Sequence, residues 1–158
     1  MTLGAGVIFF GLPVSALRAD WPLFGASMLL GLTAMVALGL ILGSWTLTVR
    51  NEPWFIGEAA AASLFLFSGA IFPIDILPAW LQPLGFALPM SYWLELVRRA
   101  LLGDGAAAFP TFAHLSDGQL LLILAAMTAA LLLLAALSFR HFDRLARERG
   151  MIDAVSNY

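Results

Sequence analysis

Four apolar blocks divide the chain, at about 3–17, 22–45, 54–72 and 119–139. Each reads as a helix that crosses a bilayer, because a hydrocarbon core of about 30 Å takes about 20 apolar residues in helical form. The first block is short for that task, and Gly4, Gly6, Gly11 and Pro13 weaken it. Pro22 suits the first turn of the second block, where its missing N–H costs nothing. Asn51, Glu52 and Pro53 offer a cap and a first-turn proline to the third. Ser116 or Asp117 opens the fourth.

Between the third and fourth blocks the pattern changes. The stretch from Phe67 to Gly103 stays apolar, yet Pro73, Pro78, Pro83 and Pro89 forbid one continuous helix, since proline removes a backbone donor and clashes with the preceding turn. Two short helices are expected here, over 77–86 and 91–102, bent at Pro89. Neither is long enough to cross, so both should dip into one leaflet or lie on it. Broken backbone at membrane depth is tolerated only where protein or a water-filled cavity covers it. The expected fold is therefore all-α: a polytopic membrane bundle of about four spanning helices, with a re-entrant segment over 73–102 and a tail over 140–158. No soluble domain and no internal repeat is visible.

Composition agrees. The chain is 61% hydrophobic and 11% charged, whereas soluble domains carry about 25% charged residues. The net charge of -2 gives no reason to expect nucleic acid as a partner. All eight basic residues are Arg, and Arg140, Arg144, Arg147 and Arg149 crowd the end of the fourth block. Cytoplasmic loops are the ones enriched in basic residues, so the C-terminus should be cytoplasmic. An even span count then puts the N-terminus on the same side, in a cell membrane. Arg18, Arg98 and Arg99 fall outside on this reading, where Asp20, Asp75, Glu95, Asp104 and Asp117 accompany them. Trp45 and Trp54 mark the inner interface; Trp21, Trp80, Tyr92 and Trp93 mark the outer one.

The candidate chemistry is sparse. A P-loop needs a Lys to reach the phosphates, and the chain has none. With no Cys, thiol chemistry is excluded, and His114 and His141 are expected on opposite faces. No catalytic residue, cofactor or metal site is expected. Glu58, the acid inside the third block, is an intramembrane ionisable residue and so a functional candidate, or an ordinary acid near the positive helix end. Glu95 and Arg98 stand three apart and can pair on one helix face. Small-residue pairs at Gly39/Gly43, Ala59/Ser63 and Ala125/Ala129 allow close helix approach, within the chain or between copies.

Taken together, Ser68-Gly69, Phe72-Pro73, Leu77-Pro78, Trp80-Leu81, Leu88-Pro89, Tyr92, Glu95 and Arg98 form a signature that resembles the C-terminal part of ABC type-2 exporter permeases. The Arg-rich tail is similar as well. The resemblance implies spans three to six of a six-span permease, so the chain is expected to be a fragment, a split permease or a truncated reading. It implies a separate ATP-binding ABC subunit, and a second permease copy or a complementary permease half. It makes Pro73, Pro78, Pro89, Glu95 and Arg98 parts of an outer gate. It makes Arg50, Asn51, Glu52 and Trp54 a loop that couples to the ATPase, and Glu58, Phe65 and Ser68 candidates for the substrate pathway. The expected function is that of a membrane permease subunit of an ATP-driven exporter. The alternative is a small non-transporting assembly or regulatory subunit.

Overall fold

The computed structural model describes residues 19–46, 53–103, 106 and 110–148. These residues form helices and no strand. In chain order the helices are α1 (Trp21–Thr46), α2 (Pro53–Phe67), α3 (Gln82–Phe86), α4 (Pro89–Leu102) and α5 (Asp117–Glu148), with one-turn 3-10 helices at Ile74–Ile76 and Pro110–Phe112. The expected first span over 3–17 lies outside the described residues.

Among the described residues, two helices are long and apolar enough to cross a membrane, over Trp21–Trp45 and Asp117–His141. At 1.5 Å per residue, 25 residues cover about 37 Å, more than the hydrocarbon core. Both starts are capped by side chains that the sequence places there. The Oδ1 of Asp20 accepts from Leu23 N–H at 3.0 Å. Ser116 and Gln119 form a reciprocal capping box: Gln119 N–H donates to Ser116 Oγ at 3.3 Å, and Ser116 N–H to Gln119 Oε1 at 2.9 Å.

α1 and α5 pack along stripes of one helical face. On α1 the buried positions are Leu23, Ser27, Gly31, Ala34, Ala37 and Ser44; on α5 they are Leu120, Leu124, Thr128 and Ala135. Steps of three and four keep these on one side of each helix, and the small residues let the backbones come close. Thr128 crosses the seam: its hydroxyl lies 2.7 Å from Leu124 O on its own helix and 3.4 Å from Leu30 O on α1. The small pairs read from the sequence do not make this seam. Gly39, Gly43, Ala59, Ser63 and Ala129 are exposed, and a Cβ on Gly39 or Gly43 would meet nothing within 4 Å.

The third apolar block is helical over Pro53–Phe67, shorter than the expected 54–72. Gly69, at φ 77°, turns the chain out of the helix in a left-handed conformation that suits glycine. α2 alone covers only about 22 Å. Beyond it the prolines act as the sequence implies, with shifted boundaries. Pro83 and Pro89 each sit in the first turn of a helix, α3 and α4, instead of bending one. Leu77–Leu81 is not helical by itself; the 3-10 turn before it ends where Leu77 N–H bonds Ile74 O at 3.0 Å.

The core gathers at the end of the bundle where α1 and α5 begin. Leu23, Ile74, Leu96, Ala100, Phe112, Leu120 and Leu124 form one buried cluster, and Tyr92, Trp93 and Phe86 pack on it. Asp20 N–H donates to Ala100 O at 2.9 Å, tying the start of α1 to the end of α4. Tyr92 and Trp93 thus turn inward, which corrects the expectation that they belong to an interfacial belt. Trp21 and Trp80 are exposed. None of the described side chains of α2 belongs to this cluster, and those from Phe55 to Leu66 are mostly exposed.

Candidate functional site

α4 carries the polar chemistry of the molecule on an otherwise apolar frame. Its repeat puts Ser91 and Glu95 one turn apart on the buried side, with Arg98 and Arg99 one turn further on. Glu95 is 2% exposed, and such a carboxylate is sustainable only when paired and hydrogen-bonded. Both arginines serve it. Arg98 Nη1 donates to Oε2 at 2.9 Å, and Arg99 Nε to Oε1 at 2.9 Å.

Arg99 then reaches beyond its own helix. Its Nη1 lies 2.8 Å from Asp117 Oδ1 and 2.8 Å from Leu115 O, and its Nη2 lies 2.7 Å from Phe112 O. One guanidinium therefore clasps α4, the loop after it and the first residue of α5. Only a planar fork with five donors can serve so many acceptors at once. Burial lowers the affinity of Arg99 for its proton, but the hydrogen bonds and charges of Asp117 and Glu95 outweigh this and hold its pKa above the usual arginine value. The clasp balances two guanidinium groups against two carboxylates, so it carries no net charge.

A second tie joins the 3-10 turn after α2 to the same loop: Thr111 Oγ1 donates to Asp75 Oδ2 at 2.5 Å. Tyr92 closes the assembly from within. Its hydroxyl donates to Phe86 O at 3.0 Å, and its ring packs on Phe112 with centroids 5.0 Å apart. Burial raises its phenol pKa.

The sequence candidates divide in space. Ser68, Pro73 and Arg98 line one small cavity together with Ser91 and Thr111, and Glu95 adjoins it through Arg98. Pro89 is buried in the first turn of α4, and Pro78 is exposed. Glu58 and Phe65 are exposed on α2; Glu58 lies ten residues before Ser68, about 15 Å along the helix. Arg50, Asn51 and Glu52 lie outside the described residues, as does the side chain of Trp54.

Two features escaped the sequence reading. The first is Arg99, whose partners at Phe112, Leu115 and Asp117 depend on how the loop folds back. The second is an apolar cavity of about 420 Å³ between α1, α2 and the α3–α4 joint. Leu38, Ile41, Leu64, Phe67 and Leu88 line it, and Glu58, Phe65 and Ser68 do not. Its small α2 wall, Ala60 and Ser63, lies in a run of small residues over 59–63 that the sequence reading takes only as a packing signal.

The described residues, helical throughout, with two helices fit to span a bilayer and a proline-broken segment clasped across their shared end, have the form of a membrane protein. Residues 1–102 match the family model of the ABC-2 type transporter, and the chain belongs to that family. It is thus a membrane component of a transport permease. No curated protein and no solved structure matches the chain.

Proposed function

We propose that the chain is a permease subunit of an ATP-driven exporter that works by alternating access, with a separate ATP-binding subunit and a second permease copy or permease half. The family match carries this reading. A chain without Lys has no P-loop of its own, so ATP energy enters from a partner. Both termini face the cytoplasm, and the clasp end, with segment 73–102 re-entrant, forms the outer gate of Pro73, Pro78, Pro89, Glu95 and Arg98. The packing supports a division of labour. α1, α4 and α5 share one core, whereas α2 stands beside a large apolar cavity with its face open. α2 is the mobile wall in this mechanism, with Glu58, Phe65 and Ser68 along its length.

The push from the ATPase enters through Arg50, Asn51 and Glu52, just before α2, and Trp54 in its first turn. The test is co-expression with an ATP-binding subunit and charge reversal of the loop, Arg50→Glu with Glu52→Arg. The reversal should weaken co-purification and stimulated ATP hydrolysis while membrane insertion is unchanged. Unaltered association and hydrolysis would remove the loop from the mechanism. If the unmodified chain co-purifies with no ATP-binding subunit, the assembly or regulatory role is the correct one.

A further inference from the structure

Ser68, just past the end of α2, differs from most of the buried hydroxyls around it. Ser27, Thr33, Ser44, Ser63 and Thr128 each donate to a carbonyl three or four positions back on their own helix. That is how a hydroxyl satisfies itself where no water is at hand. Ser91 reaches Gly85 O at 2.6 Å instead. Ser68 is 2% exposed, and among the described residues its Oγ has no hydrogen-bond partner. Its backbone N–H already bonds Leu64 O at 3.0 Å.

The residue lines a cavity of about 10 Å³ whose polar walls are Ser68, Ser91, Arg98 and Thr111. A single water requires about 10–15 Å³ by this measure, with two to four polar partners. We propose that this cavity is a water site, in which one ordered water accepts or donates at Ser68 Oγ and bridges the end of α2 to the polar groups of α4 and the loop. The chemistry disfavours a small anion. Arg98 is already neutralised by Glu95 at 2.9 Å, and the Asp75 carboxylate stands on Thr111 at 2.5 Å.

The site gives α2 an exchangeable joint. Just before Ser68, the carbonyl of Phe67 packs tightly on Gly85, where a Cβ would fall 2.8 Å from the oxygen. Just after it, Gly69 turns the chain. Between these two backbone features the side-chain link runs through a particle that can be released and regained without breaking a direct bond. This inference stands on the cavity and the hydroxyl, whether or not the chain transports anything.

The test uses the full chain in lipid nanodiscs and has two arms. In the first, radiolytic labelling after a brief exchange into oxygen-18 water reports slowly exchanging waters. Ile74, Leu94 and Phe112, which line the cavity, should retain the oxygen-16 label longer than the exposed loop residue His114. Exchange as fast as that of solvent would overturn the site. In the second arm, Ser68→Ala is compared with the unmodified chain by thermal unfolding. If a water is bound, losing a partner lowers Tm by a few degrees. If the cavity is dry, the unpaired hydroxyl is a burden, and Ser68→Ala raises Tm, which overturns the proposal. Replacing chloride by gluconate should leave Tm unchanged; a drop in gluconate would mean a bound anion and overturn the assignment to water.

Discussion

The indole ring of Trp93 lies flat against the Cα of Gly31. A Cβ built at Gly31 would fall 2.3–2.4 Å from three of the ring carbons. The contact locks α4 onto α1 about 15 Å along the spanning helix, and only glycine leaves room for it.

Gly31→Ala should therefore force the ring to move. Overpacking of this kind costs about 1–3 kcal/mol, and thermal unfolding of the purified chain in detergent would register the loss. Trp93→Ala alone should also destabilise, by opening a cavity. The double variant should lose less than the sum of the two, because the added methyl then has space. Strict additivity would show that the two positions do not share a contact.

The clasp predicts an order of effects. Arg99→Ala removes bonds to Glu95, Asp117 and two carbonyls, and leaves a buried carboxylate with one partner fewer. Removing one member of a buried pair costs about 3–5 kcal/mol. Asp117, at 51% side-chain exposure, is worth only about 0–1 kcal/mol as an ion-pair partner. Stability in denaturant titration should fall in the order Arg99→Ala, then Arg98→Ala, then Asp117→Asn. Arg99→Lys should not rescue, since a point charge cannot reach four acceptors. Glu95→Ala with Arg98→Ala should be less than additive. A larger loss from Asp117→Asn than from Arg99→Ala would contradict this account of the clasp.

The topology has its own test. A chain without Cys accepts single reporters cleanly. Asp75 and His114 are both exposed, and Thr111 ties their segments together. Cysteines at these two positions should be labelled by an impermeant reagent from the same side, and a cysteine at His141 from the opposite side. Labelling of Asp75→Cys and His141→Cys from one face would refute an outer gate.

How much of this was legible follows from the range of each interaction. Apolar runs at 22–45 and 119–139 announce spanning helices because length and composition decide that locally. Prolines announce a break, and Glu95 with Arg98 announces a pair, since three residues of helix fix their proximity. Gly31 gave no sign. A motif of two small residues advertises close approach to a helix, whereas one glycine beneath an indole needs no second. Trp93 misled for the same reason: an aromatic near a helix end reads as interfacial until the partner helix is known. Arg99 has acceptors up to 18 positions away, and no spacing rule reaches that far across a loop.

The clasp also sets an order in time. Every acceptor of Arg99 outside α4 lies at Phe112 or later, beyond the segment that matches the family model. While a ribosome is still making the loop, the guanidinium has Glu95 alone, and the broken segment has no anchor on α5. Its final seating must wait for Asp117 to emerge and for α5 to take its place. Folding of this region thus runs backwards along the chain, with a helix synthesised later fastening a segment that was made before it.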